Sequence, residues 1–479
     1  MSSEPRQGRY ASPTLLVALL YFLAVMSTAV ASLGSPLLPT IEKVEHVSLS
    51  ASQWGLTITL LVGAVVTPVI GRLSDGSLRR VTTIGSVAVM LAGCLLSSLP
   101  IGFVAFLLGR ALQGVGFGLV PLATAIARDD LPVERRRHAI VVIGIMTAAG
   151  VGVGYPLVGL LAQYLGLYAP FWFAAALSAV ALVGAVAVLP ASPQRTARVH
   201  VGAAVLVGLG LGGLILVLAE GPIWGWVSAT TLSSAVVSVA LLAAWVAVEL
   251  QVRHPLINLR LLKVRPVLAA NVTAFLVALG FYPIMSLVVR FVETPERVGY
   301  GFGAPVLVAG LMLTPFSLAS FAASKVAAKL ARRTSSEAVV AAGSVVLIAS
   351  MVLFLLARGA YWEIILTMAL NGFGVGCVYA VNPLQITGGV PADETGSAIS
   401  FYQVVRTVAY SIASAFSATV LTLYIPRGRL FPTTAGYSAA AFVSSLILVA
   451  ALVASVCFVA WPRLRRSTHR VPASVGQEG

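Results

Sequence analysis

Apolar residues in this chain neither alternate with polar ones nor mark one face of a helix. They come in long runs, and polar residues gather in the short stretches between them. A segment that is hydrophobic all round has no side meant for water. About 20 consecutive, mostly apolar residues suffice to cross a bilayer as a helix. Fourteen such runs lie near 14–34, 54–71, 82–99, 101–126, 139–163, 168–189, 201–219, 228–249, 267–291, 303–323, 336–357, 361–385, 397–424 and 438–461. Inside a bilayer every backbone polar group must be satisfied within the segment, which favours helices over open sheets. A membrane β-barrel would show ~10-residue alternating segments, and none is present. The pattern predicts an all-α polytopic membrane protein with fourteen transmembrane helices.

Composition agrees. Of 479 residues, 58% are hydrophobic and 10% charged, against about 25% charged in soluble domains. Disorder needs the opposite balance. The net charge of +15 raises the question of nucleic acid, but the basic residues form no single patch. They sit in clusters between runs, and Lys/Arg placement sets membrane orientation. Of the 31 Lys and Arg, 23 fall in one set of loops and five in the other; Arg110, Arg290 and Arg406 lie within runs. That bias predicts a multi-pass protein of the cell membrane with both termini cytoplasmic, which requires an even number of spans. Arg6 and Arg9 before the first run, with Ala29-Val30-Ala31 near its end, resemble a signal peptide. The run is longer than a usual signal h-region, so it is read as an uncleaved first helix.

The chain repeats itself. Ala111-Leu112-Gln113-Gly114-Val115-Gly116 parallels Ala369-Leu370-Asn371-Gly372-Phe373-Gly374, and Leu131-Pro132 parallels Val390-Pro391, at offsets of 258 and 259. Arg79-Arg80 and Arg332-Arg333 stand 253 apart. Near-equal offsets indicate duplicated units. Each copy holds six spans of the same orientation, so the expected architecture is two parallel six-helix repeats plus a two-helix insert. The expected divisions are an N-terminal half at 1–190, an insert with its linkers at 191–262, a C-terminal half at 263–462 and a tail at 463–479. Substrate is expected between the repeats at mid-depth.

Three motifs carry a resemblance. They are Gly71-Arg72-Leu73-Ser74-Asp75-Gly76-Ser77-Leu78-Arg79-Arg80, Arg110-Ala111-Leu112-Gln113-Gly114-Val115-Gly116, and Gly150-Val151-Gly152-Val153-Gly154-Tyr155-Pro156-Leu157-Val158-Gly159. Gly396, Gln403 and Arg406 add to them. Together they resemble the major facilitator superfamily, and within it the fourteen-helix drug:proton antiporter-like exporters. The resemblance implies a gating loop at Gly71, Asp75, Arg79 and Arg80, and embedded polar or coupling residues at Arg110, Gln113, Gln403 and Arg406. It implies an antiporter-like motif at Gly150, Gly154, Pro156 and Gly159. Tyr155 and Val158 depart from that motif, and Gly76 and Leu78 from the loop. By analogy of position, Ser27, Thr28, Arg110, Gln113, Asn271, Tyr282, Asn371, Tyr379 and Asn382 are expected to face the cavity.

The implied function is secondary active export of amphipathic small molecules, as in multidrug or antibiotic efflux, by alternating access. A nutrient or metabolite importer of the same fold is the alternative; a non-transporting membrane protein is the third reading. No nucleophile, metal-type spacing or paired carboxylate suggests an enzyme, so none is expected. Gly208 to Gly213 fits GxGxxG but lies in an apolar run rather than after a strand. No cofactor, metal or nucleic-acid partner is expected. The expected partners are the bilayer, a small-molecule substrate and a candidate proton, for a chain acting as a monomer. All sixteen acids fall in loops, tails or run ends, which leaves no mid-membrane carboxylate. With Arg110 and Arg406 inside runs, that census leaves two expectations: a cavity that disfavours lipophilic cations, or a simply apolar cavity with both arginines consumed by backbone carbonyls.

Overall fold

The computed structural model describes residues 12–74, 77–192, 200–252, 255, 258–331, 333–390 and 395–468. Among them there is no strand; the chain is a succession of α-helices with four short 3-10 segments. The helices are α1 (Pro13–Ala31), α2 (Leu38–Val44), α3 (Leu49–Ser74), α4 (Arg79–Ser98), α5 (Phe103–Gln113), α6 (Leu119–Asp130), α7 (Val133–Leu165), α8 (Ala169–Val188) and α9 (Val201–Trp224). They continue with α10 (Ala229–Gln251), α11 (Arg265–Phe281), α12 (Pro283–Glu293), α13 (Val306–Ala331), α14 (Ser336–Leu356), α15 (Tyr361–Gly389), α16 (Thr395–Leu423) and α17 (Thr434–Thr468). Thirteen helical stretches among the described residues are long and apolar enough to cross a membrane. The helix α7, 33 residues long, carries the remaining run predicted near 139–163.

Seventeen helices make fewer spans because three spans break partway, where the sequence suggested continuous runs. The first stretches from Pro13 to Val44, beyond the expected end near 34, and passes through a 3-10 turn at Ser35–Leu37. The second passes from α5 to α6 through the 3-10 segment Gly114–Gly118. The third turns at Tyr282-Pro283 between α11 and α12. Proline removes an N–H and clashes with the carbonyl four residues back, and 3-10 geometry is a usual local solution. Breaks of this kind are tolerated at membrane depth where protein surrounds them.

Two large apolar clusters form. One gathers Leu20, Leu23, Met26, Phe106 and Phe171 from α1, α5 and α8. The other gathers Ile284, Met285, Phe354, Met368 and Leu421 from α12, α14, α15 and α16. Two seams join the helices around them, α3 against α16 and α7 against α13. The pair α9 and α10 packs on itself, and α9 lies along the α3–α16 seam, with Val207, Leu211 and Ile215 against Leu61 and Ala415. Outer faces such as Val236, Val237 and Val239 on α10 stay exposed, as lipid-facing positions do.

Close helix contacts rest on glycine. A Cβ on Gly109 of α5 would collide with Ser97 and with the carbonyl of Gly93 on α4. Small residues let membrane helices approach this way. Gly109→Leu is expected to lower the unfolding midpoint of the detergent-purified protein by roughly 2–5 °C, through overpacking. Gly85→Leu, where nothing lies within 4 Å of the added carbon, should leave it unchanged. Differential scanning of the two variants checks this.

Candidate substrate cavity

A cavity of about 430 Å³ lies between the two clusters, within the roughly 300–1,000 Å³ of small-molecule sites. Eight spans line it. Ser27, Thr28 and Ser32 come from the first, Leu60 and Thr67 from α3, and Phe117, Val120 and Pro121 from the 3-10 segment and α6. Tyr155 comes from α7, and Phe281, Tyr282 and Met285 from the break between α11 and α12. Phe316, Ser317 and Ser320 belong to α13, Val375 and Tyr379 to α15, and Gln403, Arg406, Thr407 and Tyr410 to α16. The wall is mainly apolar and aromatic, with hydroxyls interspersed. Ring stacking fixes part of it: Tyr282 and Tyr410 stack at 4.7 Å, and Phe281 and Phe316 at 5.8 Å.

Arg406 is the only charged residue among the described lining residues. On a helix, positions 403, 406, 407 and 410 share one face, and here that face turns to the cavity. Arg406 Nη1 donates to Gln403 Oε1 at 2.8 Å; Nη2 and Nε donate to the Tyr410 hydroxyl at 2.9 and 3.3 Å. Its Cζ lies 3.7 Å from the centre of the Tyr379 ring, a cation–π contact.

The structure separates the other expected cavity residues. Ser27, Thr28, Tyr282 and Tyr379 line the cavity together with Gln403 and Arg406. Arg110 does not line it. It is 1% exposed, Nε donates to the Gly55 carbonyl at 2.8 Å and Nη1 to Gln113 Oε1 at 2.5 Å. Gln113 in turn donates to the Gly93 carbonyl and Ser97, both at 3.2 Å. The pair therefore straps α5 to α3 and α4 through the backbone carbonyls it meets. Asn271, Asn371 and Asn382 are also turned away. Asn271 donates to Val267 of its own helix, Asn371 to Ser350 of α14, and Asn382 to Ala270 and Thr273 of α11. The amides of Asn371 and Asn382 join helices, and that of Asn271 folds back on α11, rather than face the cavity.

On α7, a Cβ at Gly150 would strike Thr28 and Val25 of α1, and one at Gly154 would strike Ser32. One at Gly159 would strike Val306 and Leu307 at the start of α13. These glycines clamp α7 between α1 and α13, with Pro156 inside the helix. In the loop motif, Asp75 lies outside the described residues. Gly71 sits near the end of α3. Arg79 is buried and paired with Asp129 at 3.0 Å and Asp130 at 2.6 Å, at the end of α6. Arg80 donates to the Val186 carbonyl at the end of α8.

Opposite the Arg79 end, polar contacts close the molecule. Arg290 of α12 is ion-paired with Glu42 of α2 and donates to Ser52 at 2.9 Å. Gln53 and Thr57 of α3 bond Ser414 of α16, each at 2.8 Å. Arg290 showed in the sequence only as a cation within a run; its partner Glu42 lies 248 positions away. Glu293, counted in the sequence as an acid at a run end, is the last residue of α12 and is buried. Tyr410, Tyr155, Phe117 and Phe316 had no part in the expected site. Tyr410 left a legible signal as the next turn after Gln403 and Arg406, and Tyr155 as a departure within the antiporter-like motif.

A bundle of broken spans around a central cavity, with seams α3–α16 and α7–α13, narrows the family. A family model described as Major Facilitator Superfamily matches residues 17–414. The chain belongs to the Major Facilitator Superfamily. It is a multi-pass integral membrane protein of a family that transports small molecules. Among its relatives, an uncharacterized MFS-type transporter of Mycobacterium tuberculosis is 26% identical over 420 residues, covering 86% of this chain and 60% of the relative. The chain thus spans less than two thirds of that relative's length. A multidrug resistance protein B homolog from the same organism is 26% identical over 459 residues, 90% of this chain and 82% of the relative. A uridine/deoxyuridine transporter of Lactococcus lactis is 26% identical over 348 residues, 71% and 72% of the two chains. The solved POT family transporter PepTSo superposes with a TM-score of 0.67 at 15% identity, over 95% of this chain and 99% of that one.

For this superfamily member, Arg110→Met is expected to act on folding rather than on the cavity. It leaves Gln113 Oε1 without its donor and removes one of the donors to the Gly55 carbonyl, a loss of about 1–3 kcal/mol. The yield of folded protein and its unfolding midpoint should fall, while ligand affinity of the folded fraction stays within about twofold. Thermal unfolding and equilibrium binding on one preparation separate the two effects.

Proposed function

We propose that the chain is a secondary active exporter of amphipathic small molecules, of the drug or antibiotic efflux type, working by alternating access as a monomer in the cell membrane. The observation that carries this reading is the cavity itself. It is lined by one chain, walled by apolar and aromatic side chains, and set between two helix clusters. Such a wall suits molecules with a large apolar body and few polar groups. The Lys/Arg bias supports cytoplasmic termini, and in that reading the Glu42 end faces outward. The Arg290–Glu42 pair is then an outer closure, and its release would accompany exposure of the cavity to the outside.

In this reading residues 1–190 and 263–462 are the two moving halves, and 191–262 is an insert braced on the α3–α16 seam. Gly71, Asp75, Arg79 and Arg80 form the inner gating loop. Gly150, Gly154, Pro156 and Gly159 set the spacing of α7 at the moving seam. Protons are the proposed driving ion, carried by a peripheral acid such as Asp75 or Glu293, or by the substrate's own acid group. The resemblance to a multidrug resistance protein B homolog supports export. The resemblance to a uridine/deoxyuridine transporter supports the alternative, an importer of a metabolite.

The deciding experiment compares accumulation of a dye and antibiotic panel in cells with and without the gene, with and without an uncoupler. Export predicts several-fold lower accumulation in expressing cells and loss of the difference with uncoupler. Higher accumulation in expressing cells would establish the importer instead. Asp75→Asn should slow turnover at least several-fold while leaving binding intact, because it removes a contact made in one access state. Lost binding with normal turnover would sink the gating assignment.

A further inference from the structure

Two arginines of the folded chain meet carboxylates: Arg79 pairs with Asp129 and Asp130, and Arg290 with Glu42. Arg110 has only neutral partners, but it is buried away from the cavity lining on the Gly55 carbonyl and Gln113. Arg406 differs from all three. It faces the cavity, and its partners are an amide oxygen, a phenol and an aromatic ring, all neutral. No carboxylate among the described residues pairs with it. Of the five N–H donors of a guanidinium, three are engaged by Gln403 and Tyr410. By hydrogen-bond geometry two donors remain, with the Tyr402 ring 5.5 Å from Cζ, and the positive charge stands on a wall whose described lining residues are otherwise uncharged.

We propose that Arg406 anchors an oxyanion of the transported molecule, and that the preferred substrates are amphipathic monoanions with an aromatic body. The proposal rests on the reading of the cavity as the transport site and names the substrate class. A carboxylate gains charge-assisted, two-point hydrogen bonds from a guanidinium fork, stronger where water is scarce. Tyr379 beneath the guanidinium plane, with Gln403 and Tyr410 beside it, holds the fork in a fixed attitude. The stacked rings of Tyr282 with Tyr410 and of Phe281 with Phe316 offer flat surfaces for an aromatic body. A lipophilic cation would instead meet a like charge in a cavity that offers no carboxylate.

The test uses the purified full chain in nanodiscs of phosphatidylcholine alone, which removes anionic headgroups as competitors. The probes are pyrenebutyrate, its methyl ester and the matching pyrenylbutyl trimethylammonium ion, followed by fluorescence. The acid should bind about tenfold tighter than the ester, and the ammonium ion weakest. Arg406→Gln should bring the acid-to-ester ratio close to one, and Arg406→Lys should keep part of it, since lysine supplies the charge without the fork. The ranking in the unaltered protein needs no variant, so a misfolded Arg406→Gln leaves the proposal open to refutation. A preference for the ammonium ion, an acid preference that survives Arg406→Gln, or no binding of the acid overturns it. Added phosphatidylglycerol that abolishes acid binding would show the site serving a lipid headgroup, and would overturn the substrate assignment. An acid preference in nanodiscs without efflux from cells would leave the anchor standing and sink the export reading. Efflux of cations without an acid preference would do the reverse.

Discussion

A guanidinium placed in a membrane span costs about 2.5–3.5 kcal/mol on insertion scales, and the protein must answer that cost with hydrogen-bond acceptors. Each answer fixes a different part of this molecule. Arg79, at the loop edge of a span rather than within it, draws the start of α4 to the end of α6 through two carboxylates. Arg110 ties α5 to α3 through a backbone carbonyl and to α4 through Gln113. Arg290 joins α12 to α2 across the molecule, closing one end of the cavity. Arg406 is answered only by neutral groups and keeps its charge on the cavity wall. Structural straps, an ion pair across the molecule and a charge on the cavity wall thus come from one residue type, distinguished by which acceptors lie within reach.

The second constraint is that a cavity in a membrane bundle needs helices that are both close and bent. Glycines on α7 supply the closeness, holding α1 on one side and α13 on the other with no room for a Cβ. The breaks at Ser35–Leu37, Gly114–Gly118 and Tyr282-Pro283 supply the bends. Two of them put side chains directly on the cavity wall, Phe117 from the glycine-rich turn and Tyr282 from the residue before the proline. Backbone that could not survive against lipid is thereby buried in protein, where it shapes the site. The helices α9 and α10 lie outside this arrangement, on the α3–α16 seam, and contribute no lining residue.

Membership in the Major Facilitator Superfamily explains why so much of this could be anticipated from motifs, and why substrate could not. The motifs record helix packing and loop charge, requirements shared by transporters with different cargo. Relatives at similar identity include a multidrug resistance protein homolog and a uridine/deoxyuridine transporter. What distinguishes cargo is the handful of side chains that line the cavity, and these come from eight separate spans.

The sequence by itself determined that the chain is an all-helical membrane protein, roughly where its spans fall, though not how far the first one continues, and which polar residues are embedded. Run length against bilayer thickness decides these points locally, with no knowledge of neighbours. It also exposed Gln403 and Arg406 on one helical face, because three residues make nearly a turn. It placed Arg110, Asn271, Asn371 and Asn382 on the cavity by position, and only the tertiary structure could correct that. In an environment without water, a polar side chain turns to the nearest acceptor, and that acceptor is commonly on another helix. For Arg110 it was the carbonyl of Gly55, 55 residues away, and for Asn382 that of Ala270, 112 residues away. The partner of Arg290 stood farther still along the chain. Spans are read from a stretch of sequence; the direction a buried polar group faces is decided by what the fold brings within three ångströms of it.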